Sequence, residues 1–274
     1  MARRVSIVNQ KGGVGKTTTC VNLAANLTAR GKRVLLIDYD PQGNCTQFLG
    51  LAHLTENDGT YGAAEFTMGA EPDGAAPIAR GFAPQRDVLG HEERGKPGRL
   101  DLVPATEELA FIEASLLTDV IAGARRLRAA IEAIDSGYDF IIADCAPTMG
   151  ILFVNAVCAC PEVLIPVKLS AASVPGTLRL RRHIEEKLRH SVDPAIRIMG
   201  VLGTFNSDAA RKPREILTAL HEVFGSALFE TTIHANQAAD DAAEAGVPVV
   251  LGKPNARAAI QYDKLTDEVL ARGN

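Results

Sequence analysis

The chain has no long apolar run, no excess of basic charge and no even set of cysteines, and each lack removes a class of protein. No stretch approaches the roughly 18 uncharged apolar residues of a membrane-spanning helix, so no span is expected. Lysine and arginine total 29 against 33 acids, a formal net charge of −4, so any nucleic-acid contact has to come from a local patch. The five cysteines (Cys20, Cys45, Cys145, Cys158 and Cys160) are an odd number without a paired framework. Cys158-Ala159-Cys160 also lacks the two-residue spacer of a zinc or redox motif. All five read as small buried hydrophobes. The start, Met1-Ala2-Arg3-Arg4, runs straight into a polar glycine-rich loop, which is not a secretory leader and predicts a cytoplasmic protein. There are no internal repeats and no low-complexity tail. What remains is 274 residues, 46% hydrophobic and 23% charged, the composition of an ordinary globular protein with ample length for a core.

The stretch that organises the rest is Lys11-Gly12-Gly13-Val14-Gly15-Lys16-Thr17-Thr18-Thr19. An apolar run, Val5 to Val8, precedes it and an apolar-periodic segment follows, so it reads as strand, loop, helix. Gly12, Gly13 and Gly15 let the backbone turn tightly and bring its N–H groups close to a phosphate chain. The helix start adds its partial positive charge. Lys16 can reach β- and γ-phosphates, and the Thr17 hydroxyl is placed to hold Mg²⁺. The usual phosphate-loop pattern has glycine where this chain has Gln10, and the chain carries a second lysine, Lys11, at the loop mouth.

Further along, apolar runs ending in acid recur. Arg33 to Asp38 is one, followed at once by Asp38-Tyr39-Asp40-Pro41-Gln42-Gly43-Asn44; Tyr138 to Asp144 is another. Such runs read as buried parallel strands. Ligands of open α/β sheets bind at the carboxyl edge, so Asp38 and Asp40 are expected to face the phosphate loop. Asp144 stands where such enzymes place the acid of the Mg²⁺ water shell. Strands are also expected at Arg3–Asn9, Leu100–Pro104, Glu162–Val167, Ile196–Thr204 and Leu228–Ile233. Helices are expected over Lys16–Arg30, Glu107–Ile121, Arg125–Ile134, Val174–His190, Gln237–Ala245 and Ala256–Ala271. Residues 52–99 are the least legible, with a short helical candidate at Tyr61–Met68 and an exposed insertion at about 83–98. The alternation predicts one α/β domain over 1–274, a doubly wound, mostly parallel sheet with helices on both faces.

From Arg179 to Arg214 nine lysines and arginines face four acids, an excess of five in a chain that is negative overall. That segregation reads as a footprint for backbone phosphates, set against the plainer reading of a solvated helix face.

Three motifs together, Lys11 to Thr19, Asp38-x-Asp40-Pro-Gln-Gly-Asn44 and Asp144-Cys-Ala-Pro147, resemble the ParA/Soj family of partition ATPases. These belong to the deviant-Walker group of P-loop NTPases, with MinD and the nitrogenase iron protein. Leu100 to Ala105 and Val163 to Val167 extend the likeness nearly end to end. The short Soj-like kind, without a DNA-binding extension before the first strand, is the expectation. The resemblance implies an ATPase using ATP and Mg²⁺, weak without its partner, that forms an ATP-sandwiched homodimer on the nucleoid. It implies non-specific binding to double-stranded DNA and stimulation by a ParB-like centromere-binding protein, with no membrane contact. Lys11 would then cross the dimer to the partner copy's phosphates, and Lys16 with the amides of Gly12 to Thr18 would cradle phosphate. Thr17, Asp144 and Asp38 would support the metal, Asp40 would orient the attacking water, and Asn236 would contact adenine. Relatives commonly read Ile-Pro-Arg-Asn where this chain has Ile233-His234-Ala235-Asn236, so an arginine used on DNA is missing. DNA contact falls instead to Arg179, Arg182, Arg211, Lys212 and Arg214. Ala146 stands where proline is usual.

Three other functions share the motifs. A MinD-like division-site regulator needs a C-terminal amphipathic helix, which the last residues do not supply. An iron–sulfur protein needs two cysteines clamping a cluster, for which Cys145 with Cys158 or Cys160 are the candidates. A ParA-like positioner of a non-DNA cargo would use the same ATPase.

Overall fold

Alternate residues of each buried strand face opposite ways, and this divides the core in two. Leu35, Ile37, Ile141, Ala143, Val163 and Ile165 belong to one layer, and Val34, Leu36, Phe140, Ile142 and Leu164 to the other. The computed structural model describes residues 1–55, 61–69, 84–207 and 211–272. Its seven strands are β1 (Arg3–Ile7), β2 (Arg33–Tyr39), β3 (Arg99–Val103), β4 (Phe140–Cys145), β5 (Glu162–Lys168), β6 (Arg197–Asn206) and β7 (Leu228–His234). They form one sheet in the order β3-β2-β4-β1-β5-β6-β7, and every pair of neighbours is parallel. Helices Lys16–Ala29 and Arg257–Ala271 pack on one face. Helices Arg126–Glu132, Ile151–Ala159, Val174–Arg182 and Arg211–Phe224 cover the other. The doubly wound parallel architecture expected from the sequence is the one observed.

The site follows from this order. The chain leaves β1 toward β2 on one side, returns through β4, and moves to β5 on the other side of β1. The carboxyl end of β1 is therefore a switch point, where the connections diverge and leave a crevice. Register brings the acids to it: Asp144 pairs with Asp38 across β4 and β2, and with Ile7 across β4 and β1.

Several boundaries differ from expectation. The segment read as one helix over Glu107–Ile121 is two, Glu108–Leu117 and Val120–Gly123, because Asp119 accepts a 3.1 Å bond from the Ala122 N–H and starts a new turn. The Val174–His190 segment contains a π-helical stretch at His183–Leu188. Leu180, Ile184 and Leu188 are all buried there. A stripe at every fourth residue drifts around an α-helix, and the wider turns cancel that drift. Of the expected insertion, residue 83 lies outside the described residues, as do 56–60 and 70–82 of the illegible region. Residues 84–98 are only partly exposed. Gln85 forms an antiparallel bridge to Leu102, Val88 and Leu89 pack on the core, and His91 is buried, while 92–97 face solvent.

Candidate functional site

The loop between β1 and helix Lys16–Ala29 is held open by its neighbours. Asn9 Nδ2 donates to the Pro166 carbonyl at 2.7 Å, and Asn9 Oδ1 accepts from the Lys11 N–H at 2.9 Å. Thr204 Oγ1 donates to the Val14 carbonyl at 2.9 Å, tying the loop to β6. Gly13 and Gly15 have φ of 65° and 87°, the left-handed region that glycine enters without cost. No atom lies within 4 Å of a Cβ built on Gly12 or Gly13, so their backbone faces open space. Gln10, at the position usually glycine, directs its side-chain amide to Met149 Sδ. Lys16 Nζ folds back to the Lys11 carbonyl at 3.3 Å. Lys11 Nζ instead reaches the Ala172 carbonyl, away from its own loop.

Two carboxylates lie sealed behind the loop. Asp38 is fully buried, and its Oδ2 accepts from the Thr46 N–H at 2.8 Å and the Thr46 hydroxyl at 2.7 Å. Burial first, and the nearby charge of Asp144 second, push its pKa up to about 7. Asp144 is raised to about 6, again mainly by burial. Its Oδ1 accepts from the Cys20 thiol at 3.3 Å. The Thr17 hydroxyl is near enough to favour the anion, yet it falls short of hydrogen-bond geometry and leaves Asp144 Oδ2 buried without a donor. An orphaned carboxylate oxygen beside a threonine hydroxyl is a donor set that suits hydrated Mg²⁺, which takes one or two protein oxygens and keeps its waters. The residues present fit that ion. Asp40 has its Oδ1 accepting from the Gln42 N–H at 3.1 Å.

A cleft of about 670 Å³ opens over the loop, lined by Gly12, Gly13, Gly15, Lys16, Thr17 and Thr18, with Asp40 and Pro147 on its far wall. Asn236 stands apart from it, in a smaller crevice that shares Gly15 and Thr18 with the cleft. Its side-chain oxygen caps helix Gln237–Glu244 by accepting from the Ala238 N–H at 2.8 Å.

Residues 2–198 match the AAA-domain family. The chain is 34% identical to the sporulation initiation inhibitor protein Soj of Bacillus subtilis over the full length of both chains. It is also 34% identical to the chromosome partitioning protein ParA of Caulobacter vibrioides, covering 98% of this chain and 94% of that one. The chain belongs to the ParA/Soj family. Among solved structures, cobyrinic acid a,c-diamide synthase from Mycobacterium smegmatis with bound ATP analogue and magnesium is similar at TM-score 0.78 and 27% identity. That match covers 100% of this chain and 96% of the synthase. The cell division ATPase MinD of Pyrococcus furiosus shares the fold at TM-score 0.73 and 21% identity, covering 99% of each chain.

As a ParA/Soj chain it has a basic surface beyond its loop. Arg179, Arg182, Lys212 and Arg214 are exposed, and none has an ion-pair partner among the described residues. The Arg211 side chain lies outside the described residues. Arg181, between two of these cations, is instead taken up by Glu185 at 2.8 Å and the Val223 carbonyl at 2.9 Å. All five cysteines are free and buried, so no thiol is presented at the surface to clamp a shared cluster. Three supports escaped the sequence reading: Thr46 on Asp38, Cys20 on Asp144, and Thr204 on the loop. Two of them join residues more than a hundred positions apart and Thr46 lies eight residues beyond Asp38; only the acid-terminated strands signalled that partners were needed.

Proposed function

We propose that this chain is an ATP-hydrolysing partition protein. It takes up ATP with Mg²⁺, pairs with a second copy across the bound nucleotides, and binds double-stranded DNA without sequence preference in that state. A ParB-like centromere-binding partner stimulates an otherwise slow hydrolysis and so releases it. This places the protein in the cytoplasm, on the nucleoid.

The observation that carries the reading is the division of labour between two lysines. Lys16 lines the cleft with Thr17 and Asp40. Lys11 does not line it, and its ammonium lies against Ala172. A cation at the loop mouth that its own cleft does not use is suited to the partner copy's phosphates, where it would meet developing negative charge as an arginine finger does. In this reading Lys16 and the amides of Gly12 to Thr18 hold the phosphates. Thr17, Asp144 and Asp38 hold the metal's water shell, and Asp40 orients the attacking water. Asn236 contacts the base. When bound, Mg²⁺ supplies charge neutralisation between the β- and γ-phosphates. Arg179, Arg182, Arg211, Lys212 and Arg214 meet DNA phosphates, in place of the arginine that Ala235 replaces.

Membrane attachment is less well supported. Among the described residues no helix is long and apolar enough to cross a membrane. Helix Arg257–Ala271 spends its apolar face on the core, burying Ala258, Ala259, Tyr262, Leu265 and Val269.

Lys11→Ala tests the reading. Nucleotide binding is expected to persist while ATP-dependent dimerisation and hydrolysis are lost, as measured by light scattering and phosphate release. A variant that still dimerises and hydrolyses would remove the cross-dimer role.

A further inference from the structure

Two described non-glycine residues have a left-handed backbone, Asp87 at φ 48° and Phe205 at φ 53°. Aspartate tolerates that region; a bulky aromatic residue there is an outlier, and such strain gathers at functional sites. Phe205 lies near the carboxyl end of β6, one residue after the Thr204 that holds the phosphate loop. It is also exposed, at 39%, where most large apolar side chains are buried. Its ring edge lies 3.9 Å from a Cβ built on Gly15, so the ring abuts the loop itself. Lys168 Nζ stands 4.8 Å from the ring centroid and fixes the ring from the end of β5.

The ring forms one wall of the crevice that holds Asn236, with Ile233, Ala239 and Tyr262 supplying further apolar surface. Asn236 uses its oxygen as a helix cap, which turns its NH₂ group to donate elsewhere. A flat π surface, an adjacent amide donor and a direct border on the phosphate loop are the parts of a nucleobase site.

We propose that Phe205 is the platform on which the purine base of the bound nucleotide stacks. Its strained backbone holds the ring out of the core for that purpose. The inference rests on the nucleotide-binding reading above and adds a positioning residue to it. Stacking on a ring is indifferent to the base's edge, so Phe205 supplies affinity for any purine, and selection between purines falls to the polar groups around Asn236.

The chain contains no tryptophan, so Phe205→Trp makes the proposed platform the protein's single tryptophan. ATP is expected to change its fluorescence, whereas inorganic tripolyphosphate, which fills the loop without a base, is expected to leave it unchanged. In calorimetry Phe205→Ala is expected to bind ATP about tenfold or more weaker, with tripolyphosphate affinity unaltered. Phe205→Gly removes the ring while suiting the left-handed backbone, and is expected to lose ATP affinity to the same extent. Phe205→Ala and Phe205→Gly proteins that bind ATP as tightly as wild type would overturn the platform and leave the nucleotide reading intact. So would a tryptophan that responds equally to ATP and tripolyphosphate. A wild-type chain that binds neither ligand would overturn both.

Discussion

At the scale of single residues the site is shaped by where charge is costly. Asp38 and Asp144 are register partners on β2 and β4, buried together, with pKa values of about 7 and about 6. In an unfolded chain an aspartate ionises near ~3.9. Between those limits the native state keeps protons that the unfolded state has already released. The stabilisation is therefore complete below the unfolded-state value and is lost as pH rises through the folded ones, by at most about 1.4 kcal/mol per pH unit for each carboxyl. Without nucleotide, wild type is expected to lose stability to urea between roughly pH 4 and 7. Asp38→Asn, which cannot ionise, is expected to lose less over the same range. Parallel pH profiles for the two proteins would show that Asp38 titrates normally. Thr46→Val removes the hydroxyl bond to Asp38 Oδ2 and keeps the one from the backbone N–H. The lost hydroxyl leaves a buried acceptor short of a donor, at an expected cost of about 1–3 kcal/mol in urea denaturation; a change well under 1 kcal/mol would mean that Asp38 is held by its other contacts.

At the scale of elements, the sheet was legible because parallel strands buried on both faces have to be nearly continuous apolar runs. Val34 to Ile37 and Phe140 to Ala143 are such runs, and their terminal acids marked the working edge. The phosphate loop was legible because its glycines and Lys16 have few other uses in that order. Less was visible where the deciding partner is remote. Nothing local in Cys20 announces a carboxylate 124 residues away, and the fourth-residue stripe Leu180, Ile184 and Leu188 also fits two turns of ordinary α-helix, so it does not by itself mark the π-helical stretch inside Val174 to Ser191. That helix begins where Lys11 rests, since a Cβ built on Gly176 would stand 3.9 Å from both Lys11 and Arg179. Its exposed cations can therefore be tested as one element. If Arg179 and Arg182 each meet a DNA phosphate, replacing both by alanine removes four contacts from a DNA-bound pair of copies, lowers the slope of log affinity against log salt by about four, and weakens binding equally for unrelated sequences. An unchanged slope would locate the DNA surface elsewhere.

At the scale of the whole molecule, a chain of net charge −4 is a poor ligand for a polyanion, and its basic segment has to work against the rest. Affinity from counterion release scales with the number of phosphates engaged, so a single copy with a few free cations binds weakly at physiological salt. In the proposed pair, two copies joined through their nucleotides would present the patch twice. The contact number would double, and because each contact adds to the exponent, affinity would rise far more than twofold. Nucleotide control of DNA binding would then need no rearrangement of the basic surface, only a change in how many copies of it act together. Binding measured at several salt concentrations is expected to be weak and shallow in its salt dependence without nucleotide or with ADP. With ATP it is expected to be tight, with a slope about twice as steep. Lys11→Ala should keep the shallow slope even with ATP, since it retains the patch and loses the pairing. Equal slopes in all three nucleotide states would show that one copy already makes every contact, and would separate DNA binding from the ATP cycle.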